Sequence, residues 1–468
     1  MIIEMKTFAA VLFVFIFCQS MAQNISIEGT SHAKEGDLVR VLVYADQFSM
    51  LEKTIAQTRC DEQGNFILTA PVTLTTFGFL ALNLDKGELY LSPGASYRVA
   101  IPAQQPEIQG SIFDQVPLQF NLEVTNDDNL QTDIGLFNQL YNQFIYENAQ
   151  VIYKSRNKQV LDNFKSEMTM RFKNRKSEYL SDYIHYAFVS LEWLSKRLSN
   201  SAVLEKELVS KPVLYNNIQY TDFFKTYFDN YLDAFSNRHY NELTRALNQP
   251  GDYLTLKQML QRDSLLKSND RVVELAMMLL MSKSYSLPEV KKAEVINKLK
   301  LLSGVSKFRE NKEIATHFIE KLTDLTYGYP APPFALKNEY GIVVELNNYA
   351  GKFVLLNFIS DQCQICFNEL EKIQKISQTF QGTFDLLTLV VGDEWDHAMK
   401  LKHDKQFQWE FLKVTSQMLL PEQYQVRTFP TYILINPDGT IANAAMPMPD
   451  ENMEPYITRY IKRFQSKQ

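Results

Sequence analysis

Gly351-Lys352-Phe353-Val354-Leu355-Leu356-Asn357-Phe358-Ile359-Ser360-Asp361-Gln362-Cys363-Gln364-Ile365-Cys366 decides the fold of the last third of this chain. Phe353–Ile359 is an almost continuous apolar run, the pattern of a strand buried on both faces. A helix is expected from about Cys363 to Phe380, so the two cysteines fall where a strand meets a helix. That junction matters chemically. A helix N-terminus presents unpaired backbone N–H groups and the positive end of the macrodipole, and both favour a thiolate over a thiol. The thiolate is the nucleophile. Two intervening residues let the second sulfur reach the first across one helical turn. Cys363 is therefore expected to attack a partner disulfide and Cys366 to resolve the mixed disulfide. A bare C-x-x-C is also half of a zinc site, and His397 and His403 are the histidines that would have to complete one. They lie on a different expected helix, too far apart along it to share one face. The strand-to-helix setting points to a dithiol instead, and neither a metal nor a cofactor is expected.

Working outward, Ile342–Leu346 reads as a short strand, Phe384–Val391 as a buried strand and about Glu394–Gln406 as a helix. Thr431–Asn436 and Thr440–Ala444 form a hairpin around Pro437-Asp438-Gly439, and a last helix covers about Glu451–Gln465. Strands alternating with helices give an α/β sheet. Upstream, Tyr327-Gly328-Tyr329-Pro330-Ala331-Pro332-Pro333 cannot continue a helix and reads as an extended connection.

Residues 330–468 resemble the TlpA/ResA-like branch of thioredoxin-fold proteins, near its border with peroxiredoxins. Pro330–Leu336 matches that branch's A-P-x-F-x-L opening, and Gly351–Phe358 its G-K-x-V-L-x-N-F strand. Thr428-Phe429-Pro430-Thr431 with Tyr432–Thr440 resembles its P-T-x-x-x-I-D-x-x-G hairpin, with Asn436 in place of the Asp. The resemblance implies thiol-disulfide exchange with protein thiols and disulfides, Cys363 attacking and Cys366 resolving. It puts Pro430 at a cis-proline position beside the dithiol and Phe429 where backbone groups hold the substrate. Glu369 completes C-x-x-C-x-x-E as an acidic residue near the sulfurs, able to shift a thiol pKa or relay a proton; otherwise it is an exposed helix glutamate. The sequence departs from the family at Asp361-Gln362, where Trp is usual, at Ile365, where Pro is usual, and at Asn357, where thioredoxin itself has a buried Asp. A peroxidase is the neighbouring reading, because Ser360-Asp361-Gln362-Cys363 fits [S/T]-x-x-C; Leu356 stands where most peroxiredoxins carry Pro.

The first 327 residues lie outside that resemblance. Asn24–Gly29, Asp37–Ala45, Leu51–Arg59, Asn65–Ala70, Phe77–Leu84, Glu88–Leu91 and Tyr97–Ile101 read as short strands punctuated by turn residues, which suggests a small β-sandwich. The module resembles those placed ahead of thioredoxin-like domains in some Gram-negative envelope proteins, through G-x-F at Gly64–Phe66 and L-x-P-G-x-x-Y at Leu91–Tyr97. From 128 to 325 the apolar period becomes helical, as at Ile134, Phe137, Tyr141, Phe144 and Ile145. Val272–Met281 is apolar almost all round and is expected as a central buried helix. Pro212, Pro250 and Pro288 break the region into some six to nine helices, by ordinary helix lengths. The expected organisation is a leader over 1–22, a β-sandwich over 23–110, an all-α domain over 111–326 and an α/β thioredoxin-like domain over 327–468.

The whole chain has 468 residues and a formal net charge of -6. Nucleic acid and anionic membrane are not expected partners. Lys6, the apolar stretch Phe8–Phe17 and Ser20-Met21-Ala22 read as a signal peptide cleaved before Gln23. Cys18 follows bulky Phe15-Ile16-Phe17, which a lipobox does not tolerate, so a lipoprotein is not expected. No later segment has the apolar length of a membrane span. The expected place is the periplasm or cell envelope, where a membrane electron donor would be needed to keep an exported dithiol reduced. Cys60 is left over and reads as a buried structural residue. The competing reading from another class is a binding or assembly module that keeps a thioredoxin fold without using it catalytically.

Overall fold

A computed structural model describes residues 23–32, 35–103, 117–124, 130–155, 158–360, 363–392 and 395–466. The expected leader with Cys18, together with Asp361, Gln362 and Glu394, lies outside the described residues.

The N-terminal strands are β1 (Gln23–Ser31), β2 (Leu38–Tyr44), β3 (Glu52–Arg59), β4 (Asn65–Val72), β5 (Thr76–Leu82), β6 (Asp85–Leu91), β7 (Ser96–Ile101) and β8 (Asn121–Val124). They form two four-stranded sheets, ordered β4-β1-β7-β8 and β3-β2-β5-β6. β4 alternates strictly, with Phe66, Leu68, Ala70 and Val72 buried and the residues between them exposed, as a strand with one wet face must. Those side chains meet Ile25, Ile27, Val39, Val41, Leu80 and Leu89 in one apolar core that also encloses Cys60. β8 was not expected, being four residues long with no turn signal of its own.

Gly64 sits at φ +80°, and a Cβ there would lie 2.1 Å from the Ser31 carbonyl oxygen. Ser31 N–H donates to the Gly64 carbonyl at 2.9 Å, so that backbone is tied in place. Gly64→Ala is expected to cost about 1–2 kcal/mol from the left-handed conformation alone, with the clash added. Hydrogen exchange is the measurement: amides of β1 and β4 should lose protection, and unchanged protection would refute the assignment.

The middle of the chain folds into α1 (Leu130–Gln150), α2 (Lys158–Phe172), α3 (Glu178–Leu194), α4 (Asn200–Val203), α5 (Ile218–Asn248), α6 (Leu254–Leu260), α7 (Asp270–Ser284), α8 (Lys292–Val305) and α9 (Arg309–Thr323). α7 is the buried centre expected from its composition: Val272, Val273, Ala276, Met277, Met278 and Met281 are fully buried. The sandwich and the helices are not separate cores. Phe77 and Tyr90 pack with Ile134, Phe137, Tyr183 and Phe188 in one cluster. Phe48, from the turn after β2, enters the helical core edge-on to Phe224 at 5.2 Å. Polar contacts fix the same turn: Asp46 meets His317 at 2.8 Å, and Lys321 donates to the Ser49 carbonyl at 2.5 Å.

The last region contains β9 (Ala335–Asn338), β10 (Val343–Glu345), β11 (Phe353–Ser360), α10 (Gln364–Thr379), β12 (Phe384–Val391), α11 (Trp395–Asp404), β13 (Glu410–Lys413), α12 (Leu420–Gln423), β14 (Thr431–Ile435), β15 (Ile441–Met446) and α13 (Met453–Gln465). The sheet order is β10-β9-β13-β12-β11-β14-β15. β11 lies parallel to β12 and antiparallel to β14, and every one of its residues is buried. Its odd-numbered apolar residues face α10 and α13; its even-numbered ones face the other layer. β9 and β13 were missed in the sequence, because four-residue strands carry too little periodicity to register.

Two joints attach this region to the rest. The proline-rich connection is not a loose tether. Gly328 N–H donates to Ile441 O at 2.8 Å, Ile441 N–H to Tyr329 O at 2.7 Å and Ala331 N–H to Gly439 O at 3.0 Å, so the connection pairs with the outer edge of β15 at its start. The second joint is ionic. Glu422 of α12 accepts from Arg40 of β2 at 3.4 Å and from Lys86 of β6 at 2.7 Å. Lys86 also holds Glu52 at 2.6 Å.

Candidate active site

β11 ends at Ser360, and Cys363 caps α10. Cys363 N–H donates to Ser360 O at 3.2 Å, closing the turn between strand and helix. The Cys366 N–H, one of the helix's unsatisfied first amides, donates to Cys363 Sγ at 3.1 Å. An amide aimed at sulfur stabilises its charged form. The two cysteines form a disulfide, with Sγ–Sγ 2.12 Å and Cα–Cα 5.2 Å. They are not equivalent: Cys363 is half-buried, whereas Cys366 is fully buried among Phe367, Leu370 and Ile373. Ile365, between them, is 61% exposed.

The Phe429–Pro430 peptide is cis. Thr431 pairs with Phe358 of β11, so Pro430 lies beside the end of the strand that runs on to Cys363. Phe429 is half-buried and packs on the same apolar cluster as Cys363. Five of the expected residues, Cys363, Cys366, Glu369, Phe429 and Pro430, thus belong to one end of the sheet and the helix that leaves it.

Glu369 lies one turn beyond Cys366 and is only 4% exposed, so the exposed-glutamate alternative is excluded. Its Oε1 accepts from Lys372 Nζ at 2.6 Å, and Lys372 also bonds Asp450 in the turn before α13. Asp450 and Glu369 together hold the Lys372 ammonium above its ordinary range. Among the described residues Glu369 Oε2 has no partner although it is buried.

Two further polar groups on this face were not read as site residues in the sequence. Asn357 is fully buried, and among the described residues neither its Oδ1 nor its Nδ2 has a partner. Tyr432 is its cross-strand neighbour, buried, with an equally unpartnered hydroxyl. Burial pushes that phenol far above its ordinary range, and the Glu369 charge adds to the effect. The signal for Tyr432 was available: in a strand opening at Thr431, position 432 points to the face opposite 431, and a tyrosine turned inward needs a partner.

Elsewhere, burial raises the Cys60 thiol pKa inside the sandwich, as expected of an inert cysteine. The His397 ring rests on Phe367, centroids 4.9 Å apart. Among the described residues no three His, Cys, Asp or Glu side chains gather as metal ligands, and no helix is long and apolar enough to cross a membrane.

Residues 327–444 match the AhpC/TSA family. The thiol-disulfide oxidoreductase ResA of Bacillus cereus is 25% identical over 147 residues, which is 31% of this chain and 83% of the relative. The ResA of Bacillus subtilis is 25% identical over 130 residues, 28% of this chain and 72% of the relative. Among solved structures, the thioredoxin domain of a thiol-disulfide oxidoreductase from Bacteroides vulgatus is 22% identical. It covers 29% of this chain and 97% of its own, with a TM-score of 0.26. The last third of the chain has a thioredoxin-like fold behind a β-rich and a helical region; it is similar there to thiol-disulfide oxidoreductases named ResA and carries a C-x-x-C pair at disulfide distance.

Proposed function

We propose that this protein is a thiol-disulfide oxidoreductase of the cell envelope that exchanges electrons with protein disulfides through Cys363 and Cys366. The observation that carries the reading is the asymmetry of the pair: one sulfur half-exposed at a helix cap with an amide on it, the other sealed in the core. In the reducing direction the Cys363 thiolate attacks a partner disulfide. One partner sulfur leaves as thiolate and the other stays bonded to Cys363. Cys366 then attacks Cys363, their disulfide forms, and the second partner sulfur leaves with the electron pair. Two electrons have passed to the partner, and its two thiolates take up protons. Glu369 is the acid-base group for the buried sulfur. Phe429 and Pro430 line the surface on which the partner backbone lies, and exposed Ile365 favours an apolar residue beside the partner cysteine.

The leader-like residues 1–22 support this location. Outside the cytoplasm disulfides persist, so a dithiol there needs a membrane donor to return it to the reduced state. The resemblance to the TlpA/ResA-like branch favours the reducing direction, which is usual in that branch. The AhpC/TSA match keeps a peroxidase as the second reading; it would consume hydrogen peroxide at Cys363 with a reductant supplied.

The first test is a brief alkylation of the reduced protein across pH, mapped by mass spectrometry. Cys363 is expected to label first, with a titration midpoint below the ordinary thiol value near 8.5. Preferential labelling of Cys366 would reverse the roles. Insulin reduction and peroxide consumption assayed on the same sample separate the two readings. If the wild type neither reduces nor oxidises any disulfide, the oxidoreductase reading fails and the binding module takes its place.

A further inference from the structure

The face of the sheet beneath α10 should be dry by its composition. β11, β12 and β14 send Leu355, Ile359, Leu386, Val390 and Leu434 to it, against Cys366, Leu370 and Ile373. A row of polar side chains crosses that face. Tyr432, Asn357 and Thr388 are consecutive cross-strand partners on β14, β11 and β12, and all three are buried. Thr388 is accounted for, accepting from Trp409 Nε1 at 2.9 Å. Among the described residues the Tyr432 hydroxyl and both polar atoms of the Asn357 amide have no partner, nor does Glu369 Oε2 from the helix above. Four orphaned polar atoms converge on one small region of core. Each orphan costs about 1–3 kcal/mol, a cost that a Phe and a Leu at the same positions would avoid. Buried polar groups are normally partnered by protein or by ordered water.

We propose that Tyr432 and Asn357 complete, with Glu369, a buried polar site that binds water beneath Cys366 and carries the proton off its thiol. The inference rests on the oxidoreductase reading and adds to it two positioning residues that act through Glu369. Chemistry supplies the need. Before Cys366 can attack Cys363, its S–H must lose a proton from a sulfur with no exposure to solvent. The proton passes to Glu369 through the bound water. The hydroxyl of Tyr432 donates a hydrogen bond within the site and holds the water and the carboxylate in place for the transfer. The Asn357 amide donates to the same water while its carbonyl accepts from it. Solvent recovers the proton along the Lys372 side of Glu369. The ionisable groups set against this carboxylate are Lys372 and Cys366 on its own helix and Tyr432 from β14, with Asp450 acting through Lys372 from the turn before α13.

The experiment mixes reduced protein with dithionitrobenzoate in stopped flow across pH. The first thionitrobenzoate released reports attack by Cys363; the second reports attack by Cys366 on the mixed disulfide. Tyr432→Phe removes one oxygen and no packing carbon, and its thermal unfolding is checked alongside. It is expected to leave the first release unchanged. The second should slow about ten-fold at pH 7, its midpoint moving up by about one pH unit, since that loss in thiolate fraction equals one unit of pKa. Asn357→Leu should act in the same direction. Glu369→Gln should slow the second release as well, and adding Tyr432→Phe to it should slow it no further, because a residue acting through another shows no separate effect. A Tyr432→Phe profile identical to wild type at every pH, or slowdowns that multiply in the double variant, would overturn the inference while leaving the dithiol reading intact. Failure of the wild type to release any thionitrobenzoate would instead refute the dithiol reading itself.

Discussion

Cys363→Ser is expected to abolish disulfide exchange, lowering insulin reduction by a thousand-fold or more, on the order of what removing a nucleophile costs. Cys366→Ser should do the opposite of silencing the protein. It keeps the attacking sulfur at the helix cap with its amide contact, forms the mixed disulfide and cannot resolve it. Expressed in its native host and run on non-reducing gels, Cys366→Ser should carry partner proteins in bands that collapse with dithiothreitol, and Cys363→Ser should carry none. Capture by Cys363→Ser instead would show that Cys366 reaches partners despite its full burial. Absence of capture by either, with no turnover in the wild type, would leave the fold without its chemistry.

The second large effect concerns the ionic joint. Glu422→Ala strips the shared partner from Arg40, which is 3% exposed, and from Lys86, which keeps Glu52. Exposed pairs are worth little, but removing one member of a buried pair leaves an uncompensated charge and is strongly destabilising. Because Glu422 itself keeps some solvent exposure, about 2–3 kcal/mol is expected here, at or just below the about 3–5 kcal/mol that breaking a fully buried pair costs. It should appear as lost hydrogen-exchange protection in β2, β6 and α12 together. α12 leads directly into the turn holding Phe429 and Pro430, so exchange with a protein substrate should fall as well, while alkylation of Cys363 stays as in wild type. Replacing Arg40 and Lys86 by methionine along with Glu422→Ala should restore much of the loss, because apolar groups of similar size leave no charge behind. Equal protection in the wild type and Glu422→Ala would show that the joint contributes nothing.

The parts of this architecture legible in the sequence are those written locally. The run Phe353–Ile359 announced a strand buried on both faces, and all of β11 is buried. The C-x-x-C after it announced the cap of a helix, and Cys363 is that cap. Val272–Met281 announced a central helix. What stayed hidden depends on partners far along the chain. Glu422 meets Arg40 across 382 positions, and nothing near either residue marks the pair. Glu369 was marked by its C-x-x-C-x-x-E spacing, but its burial, which excludes an exposed helix glutamate, was not written in the sequence. Asn357 was noticed only as a departure from thioredoxin, and Tyr432 only as part of a strand; their pairing is a matter of register, which the sequence leaves open until β11 and β14 are set side by side. The sandwich and helices, read as successive domains, pack through Phe77, Tyr90 and Phe48 into shared cores, which change of period along a chain does not reveal.

The course of residues 328–331 along β15 has a practical consequence. β15 is the last strand of its sheet, and an uncovered last strand offers its free N–H and C=O groups to any other chain. Here the upstream connection occupies Gly439 and Ile441. A fragment cut at the proline cluster to isolate the redox region would strip that cover and present a bare edge. Such a fragment is expected to self-associate through β15 at concentrations where one beginning before Tyr327 remains monomeric, and light scattering of the two would tell them apart.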